Sequence, residues 1–398
     1  MLRVAIVHDW FVTYAGSERV VEQMLAVFPQ ADVFSLIDFL PRHQRQFLAG
    51  KSVTTSFLQR CPFARRHYAA YLPLMPLAIE QLDLSGYEMV ISSSHCVAKG
   101  VLTGPDQLHI SYVHTPMRYA WDQQHEYLAH SGLTRGLRSC YARWMLHKLR
   151  LWDVRSSHGV DSFVANSGFI ARRIEKTYRR EARVIHPPVD TEAFTAEEPR
   201  ENFYVTASRL VPYKRVDLLV EAFASMPDRR LIVVGDGSER KALAAKAPAN
   251  VTLVGHQEFD ALRSYLQRAR GFVYAAQEDF GIVLAEAQAA GCPVIAYGHG
   301  GAAEIVRGTQ YPQPTGVLFD QQTPEAVVAA IENFERQSLV TDAATCRAAA
   351  ERFSAERFRR EFHEHAMLEW QSFTGARQRR TDPTGETIPG TFGPRRVA

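Results

Sequence analysis

Cysteine is scarce in this 398-residue chain and never closely paired. Cys61, Cys96, Cys140, Cys292 and Cys346 are odd in number and scattered, with no Cys-x-x-Cys among them, which argues against a disulfide framework and against a thiolate zinc site. They read as reduced thiols. Asp-x-Asp and His-Glu-x-x-His are absent, so no metal and no cofactor is expected. The dinucleotide pattern Gly-x-Gly-x-x-Gly, the Walker loop and Gly-x-Ser-x-Gly are missing as well, which removes the simple NAD, NTPase and serine-hydrolase readings. No apolar run approaches the ~18 residues of a membrane span. The first residues, Met1-Leu2-Arg3-Val4, meet charge too early for a signal peptide. A cytoplasmic protein is expected, with association at the inner face of the membrane left open.

Charge of one sign is also lacking. The net charge is +3, and residues 375–398 hold five Arg against two acids, so the remainder balances at 41 basic against 41 acidic residues. Any basic surface is therefore local, and no nucleic-acid partner is expected.

What the chain does have is alternation. Apolar strand-like runs separated by helical patterns mark an α/β protein with parallel sheets covered on both faces. In the first half the runs are Val4 to Val7, Val33 to Leu36, Met89 to Ser92, Ile110 to Val113 and Ser162 to Ala165. In the second they are Phe203 to Ala207, Leu231 to Val234, Val251 to Val254, Phe272 to Ala275 and Val294 to Ala296. The length fits two domains of roughly 180 residues each. His186-Pro187-Pro188-Val189 interrupts the pattern, since consecutive prolines continue neither a helix nor a central strand. The expected organisation is a first domain at 1–185, a second at 186–353, a helix at 354–373 crossing back onto the first domain, and a disordered, Pro- and Gly-rich tail at 374–398.

Two glutamates eight positions apart, Glu278 and Glu286, follow the strand-like run that ends at Ala275. Glu278 falls in the loop and Glu286 inside the next helix, where carboxylates accept hydrogen bonds from polyols beside free backbone N–H groups. Arg209 and Lys214 leave the carboxyl end of the first strand of the second domain. They suit a diphosphate as a planar fork and a point charge, or else form a solvated basic turn. Gly16 opens a helix after the first strand, as a phosphate approach or a plain tight turn. His114 ends a first-domain strand beside Arg118 and Tyr119, as a sugar or acceptor contact or as a structural histidine. Gly235 and His256 end two further strands, the first as a cleft glycine or a simple turn, the second near a nucleobase edge.

His363-Glu364-His365 is expected to face solvent. Residues 135–155 carry six Lys or Arg against one Asp, with Leu137, Tyr141, Trp144, Met145, Leu149 and Trp152 at helical spacing and Arg143, His147 and Arg150 opposite. This reads either as an interfacial helix on anionic lipid or as a core helix with a basic outer face.

With these motifs in hand, the chain resembles the retaining glycosyltransferases of family 4, which have the GT-B fold and include bacterial mannosyltransferases. The resemblance rests on the Glu-x7-Glu element at Glu278 and Glu286 and on the Arg209 to Lys214 spacing, supported by Gly235-Asp236-Gly237 and Ala165-Asn166-Ser167. The His114-Thr115-Pro116-Met117-Arg118-Tyr119 stretch is similar to a subgroup tied to O-antigen and exopolysaccharide assembly. The resemblance implies two Rossmann-like domains facing each other across a cleft, with GDP-mannose as donor and a lipid-linked or oligosaccharide acceptor. A UDP-sugar donor, or a sugar-nucleotide epimerase of the same fold, is the alternative.

In its terms Arg209 and Lys214 hold the diphosphate and Glu286 the ribose, while Glu278 and His114 face the sugar. Phe280, Gly281, Ile282 and Val283 add backbone contacts, Gly16 approaches the diphosphate, and Arg118 and Tyr119 lie on the acceptor side. Many relatives carry Gly-Gly in the first loop where this chain has Ala15-Gly16.

Overall fold

The computed structural model describes residues 2–196, 199–337 and 342–381. Seven strands build the first sheet: β1 (Val4–His8), β2 (Asp32–Ser35), β3 (Val53–Thr55), β4 (Met89–Ser94), β5 (Leu108–Val113), β6 (Ser162–Ala165) and β7 (Arg183–Val184). Their spatial order is β3-β2-β1-β4-β5-β6-β7. Six more build the second: β8 (Glu201–Ala207), β9 (Leu231–Val234), β10 (Val251–Gly255), β11 (Ala269–Tyr274), β12 (Val294–Tyr297) and β13 (Gly316–Phe319), in the order β10-β9-β8-β11-β12-β13. Neighbours in both sheets run parallel. β1, β4 and β5 are buried along their whole length, because helices cover both faces and leave no solvent side for alternation to record. This is the two-domain α/β architecture expected from the alternation.

Three strands lie outside the apolar runs, and each is a sheet edge. β3 is three residues of Val and Thr, β7 is two exposed residues, and β13 starts at a glycine. β3 and β7 are short and incompletely buried, so their hydrophobic signal is weak.

The chain crosses between domains twice, side by side. Val189 donates its N–H to the Phe353 carbonyl at 2.8 Å and pairs with Ser354 in an isolated parallel bridge. From there the last helix, Ala355–Thr381, lays Phe358, Phe362 and Ala366 into the first-domain core against Tyr112 and Val164. Burying each phenylalanine contributes about 2–3 kcal/mol, which fixes the crossing helix to the first domain. The helix runs eight residues past 373, so 374–381 is helical rather than tail; the rest of the expected tail, 382–398, lies outside the described residues.

His365 corrects the solvent-facing expectation. It stands three residues after Phe362 on the same inward stripe, is buried, and lies 3.1 Å from Ser162 Oγ. Burial pushes its imidazole down to about 4.

The Leu137–Ser157 helix divides differently from its expected apolar stripe. Leu146, Leu149 and Asp153 face inward, whereas Leu137, Tyr141, Trp144 and Leu151 are 53–89% exposed. The inward face is set by a buried ion pair between Lys99 Nζ and Asp153, whose second oxygen accepts from Trp121 Nε1 at 2.7 Å and from the Tyr178 hydroxyl at 3.0 Å. Arg150, expected on the outer face, is turned to Ala120 O at 2.7 Å.

Candidate active site

The strand ends of the two sheets face each other across a cleft of about 680 Å³. Ser208 and Lys214 follow β8, and Glu278 to Val283 follow β11. Trp10 and Gly16 after β1, His95 after β4, His114, Thr115, Arg118 and Tyr119 after β5 and Asn166 after β6 form the opposite wall. Ligands in open parallel sheets bind outside the carboxyl ends of the strands, where helix N-termini converge.

On the second-domain wall, Lys214 closes a short 3-10 turn, Pro212–Lys214, and its ammonium bonds the Glu278 carboxylate while lying 3.3 Å from the Tyr274 hydroxyl. The Tyr274 hydroxyl also donates to Glu278. Burial works to raise the Glu278 carboxyl, but the charge and hydrogen bond of Lys214, together with the Tyr274 bond, outweigh it and hold Glu278 below the ordinary carboxylate value. Glu278 is thus ionised at neutral pH and accepts hydrogen bonds only. Its loop is pinned, since the Glu278 carbonyl accepts from Gly301 N at 2.8 Å.

The Ile282–Ala289 helix begins at Gly281 and brings Glu286 to the cleft, where it is 5% exposed. Phe280, Gly281, Ile282 and Val283 line the same wall.

Arg209, Gly235 and His256 do not line the cleft among the described residues. Arg209 is exposed next to the lining residue Ser208, and its guanidinium donates to the Tyr213 hydroxyl at 2.6 Å. Gly235 is consumed in packing: at φ +133° a Cβ there would stand 1.9 Å from the Ser208 carbonyl oxygen, so the missing side chain serves the approach of two strand ends. His256 is exposed beyond β10, the edge strand two places from β8.

On the first-domain wall, the Gly16–Val27 helix starts without a side-chain cap from Ala15. Instead the Glu18 carboxylate reaches back to accept from Ala15 N at 3.0 Å. Gly16 meets the other domain: a Cβ there would fall 2.8 Å from Ile282 Cδ1. His114 lines the cleft with its Nε2 2.8 Å from Ser93 Oγ, and its carbonyl accepts from Asn166 Nδ2 at 2.9 Å. Burial, reinforced by His95 and His8, drives its imidazole well below the usual value, so it is neutral. Tyr119 contacts Cys96 Sγ at 2.9 Å, and Arg118 lies over the Tyr213 ring with 5.2 Å to its centroid.

Ionic links span the cleft. Arg19 pairs with Glu286, Arg118 and Arg173 meet Asp279 at 3.2 and 3.1 Å, and the Glu304 carboxylate accepts from Gly168 N and Phe169 N at 2.8 Å each. Pairs of this partial exposure contribute on the order of 1 kcal/mol each, so closure rests on several separate links. Burial raises the Asp279 carboxyl against the pull of both arginines.

Sequence reasoning had passed over Arg19, Asp279, Tyr274 and His95. Asp279 and Arg19 adjoin recognised motifs, and Tyr274 lies four residues before Glu278. His95 follows a serine run and carries no local signal.

The description "Glycosyl transferases group 1" matches residues 190–353. Among curated relatives, a GDP-mannose-dependent phosphatidylinositol monomannoside mannosyltransferase of Corynebacterium glutamicum is 33% identical over 178 residues, 37% of this chain and 47% of that protein. A D-inositol 3-phosphate glycosyltransferase of Mycobacterium marinum is 29% identical over 269 residues, 59% of this chain and 56% of that protein. The matches cover about a third to a half of the length of the first such relatives. Among solved structures, Anabaena HepE in complex with UDP and glucose superposes with a TM-score of 0.67 at 17% identity, covering 92% of this chain and all of that one. Sucrose-phosphate synthase of Thermosynechococcus elongatus gives 0.69 at 17% identity, covering 94% and 100%. The chain therefore has the GT-B fold, and its residues 190–353 match the group 1 glycosyl transferases.

Proposed function

We propose that the protein is a retaining glycosyltransferase that moves a hexose, mannose from GDP-mannose, onto a lipid-linked or oligosaccharide acceptor in bacterial surface polysaccharide synthesis. The observation that carries this reading is the ionised Glu278, held by Lys214 and Tyr274 on the same cleft wall as Glu286 and opposite the uncapped start of the Gly16 helix. In this reading Glu278 accepts from donor-sugar hydroxyls and Glu286 exchanges Arg19 for the ribose. Lys214, with Arg209 moving in from the rim, meets the charge that grows on the departing diphosphate. Preorganised donors of that kind contribute several kcal/mol to the transition state, which gives the side chains the task a metal performs elsewhere.

The bond from the anomeric carbon to the diphosphate oxygen breaks, and the acceptor oxygen bonds to the same face. The acceptor proton passes to the departing phosphate oxygen. The curated relative named as GDP-mannose-dependent supports mannose as the sugar. HepE, solved with UDP and glucose, supports a second reading with a UDP-sugar on the same side chains.

Thermal shifts with GDP, UDP and their sugars separate the two donors, because a ligand at 100 times its Kd adds about 2.7 kcal/mol. Product analysis completes the test. Sugar transferred only when acceptor is present supports the reading, and conversion of the free donor without acceptor replaces it with an epimerase.

Contact with an anionic membrane belongs to the same proposal. Leu137, Tyr141, Trp144, Lys148, Leu151 and Arg155 recur every three or four residues on the outer face of the Leu137–Ser157 helix. Asp153, the single acid of that stretch, is buried against Lys99 and leaves the outer charge positive. Flotation with phosphatidylglycerol vesicles is expected to carry the wild type upward and to leave a Trp144→Glu, Leu151→Glu variant behind. A wild type that stays soluble rules out the contact.

A further inference from the structure

Behind His114 lies a buried row of polar groups to which the reading above gives no task. His8 ends β1, Ser93 lies on the neighbouring β4, and Glu18 sits in the first turn of the Gly16–Val27 helix. His8 Nε2 is 3.3 Å from Glu18 Oε1, and His8 Nδ1 is 3.2 Å from the Ser93 carbonyl oxygen and 3.1 Å from Ser93 Oγ. Ser93 Oγ is in turn 2.8 Å from His114 Nε2. His8 and Ser93 are fully buried and Glu18 is 3% exposed, so bulk water does not replace these partners.

The protons in this row can be counted. Burial works to raise the Glu18 carboxyl, but its bonds with His8, Ala15 N and Ser17 Oγ outweigh that and keep it ionised, hence an acceptor only. The Ser93 carbonyl is also an acceptor only. His8 thus faces an acceptor-only oxygen at each ring nitrogen, and a hydrogen on both lets it donate to Glu18 at one end and to Ser93 at the other. Its Nδ1–H is shared between the two Ser93 oxygens, an ordinary three-centre bond. The one hydroxyl proton of Ser93 then points the other way, to His114 Nε2. His114, being neutral, then carries its single ring proton on Nδ1, the nitrogen not engaged by Ser93, in a side chain that lines the cleft.

We propose that Glu18 and His8 are positioning residues that hold His114 in its Nδ1–H form, so that His114 presents a hydrogen-bond donor to an oxygen of the sugar or acceptor. The sugar contact rests on the function proposed above; the tautomer does not. Reversing the row would present a lone pair to the same oxygen, so the charge on Glu18 decides the polarity of the cleft wall about three side chains away.

The test uses the full chain labelled with 15N-histidine and no donor, so that its result stands whatever the reaction proves to be. Two-bond proton–nitrogen spectra distinguish the two neutral tautomers and the imidazolium, and His114→Gln identifies the His114 signal by its loss. The wild type is expected to show His114 protonated at Nδ1 and His8 at both nitrogens. Glu18→Gln and Ser93→Ala, with unfolding midpoints close to wild type, are expected to move His114 toward the Nε2–H form. Glu18→Gln is also expected to lower kcat about tenfold with donor KM changed less than twofold, a split that loss of stability alone would not produce. A wild-type His114 protonated at Nε2, or a tautomer unchanged in both folded variants, overturns the proposal. Absence of transfer by the wild type would remove the transferase reading and leave the spectra to be judged on their own.

Discussion

The two domains share a parallel-sheet plan but bury different things. The first domain encloses His8, Asp9, Glu18, Lys99, His109 and Asp153 at 3% exposure or less, with serines at the carboxyl ends of its strands. The second domain encloses mostly hydrocarbon, from Phe203 and Phe272 to an alanine-rich Ile282–Ala289 helix, and among its described residues the one buried charged side chain is Glu286 at the cleft. The first domain arranges its polar groups across several strands. The second gathers its own on two loops and on the helix that follows the second of them. The family match falls on the second domain alone.

Substitutions can break or sharpen this contrast. The largest effect is expected at the ion pair in the first domain: Lys99→Ala leaves Asp153 buried without its charge partner and should lower the unfolding free energy by about 3–5 kcal/mol. Chemical denaturation measures it, and a loss under 1 kcal/mol would show that the polar core of the first domain is not structural.

Acid should separate the domains next. Burial pushes His109 down to about 4 from an ordinary 6.5, so the unfolded chain binds a proton that the native chain refuses between those values. Its contribution is present above about pH 6.5, is lost as pH falls toward 4, and amounts to about 3 kcal/mol. His256 of the second domain, by contrast, is exposed. Melting at pH 7 and pH 5 should show a steeper fall for wild type than for His109→Gln, and equal falls would contradict the assignment.

On the cleft wall of the second domain the contrast reverses, since loss should appear in rate rather than stability. Glu278→Gln is expected to cut sugar transfer about 100-fold or more, roughly 2.7 kcal/mol, with a melting midpoint near wild type. Near-normal transfer by this variant would remove Glu278 from the reaction. The smallest effect lies in the hydrocarbon core of that domain. The buried Thr206 hydroxyl has no hydrogen-bond partner among the described residues, so Thr206→Val should raise stability by about 1 kcal/mol. A destabilised Thr206→Val protein would mean that the hydroxyl is satisfied in solution.

Legibility followed the same division. Glu278, Lys214, Gly281 and Glu286 were readable because a strand, its loop and the next helix are consecutive, and the structure sets them on one wall. Gly235 and Arg209 looked alike in sequence to the residues that line the cleft, yet one is used to bring β8 and β9 ends together and the other points along the rim. The aromatic helix at 137–157 was readable as a helix but not as a face, because the rotation that exposes Trp144 and buries Leu149 is fixed by Lys99, 54 residues before its partner Asp153. His365 was misjudged for a related reason: its neighbours in sequence are charged, and only its docking beside Ser162 buries it.

What the sequence determined by itself was the kind of protein. Runs of Val, Ile and Ala bounded by helical patterns have one low-energy outcome, parallel strands covered on both faces, and the prolines at 187 and 188 place the break between two of them. Which polar partners meet depended on the closed fold: Arg19 with Glu286, Arg118 and Arg173 with Asp279, Glu18 with His8. Hydrophobic periodicity is local and repeats along the chain, whereas a charge finds its partner only after the sheets have closed, at separations that no spacing rule encodes.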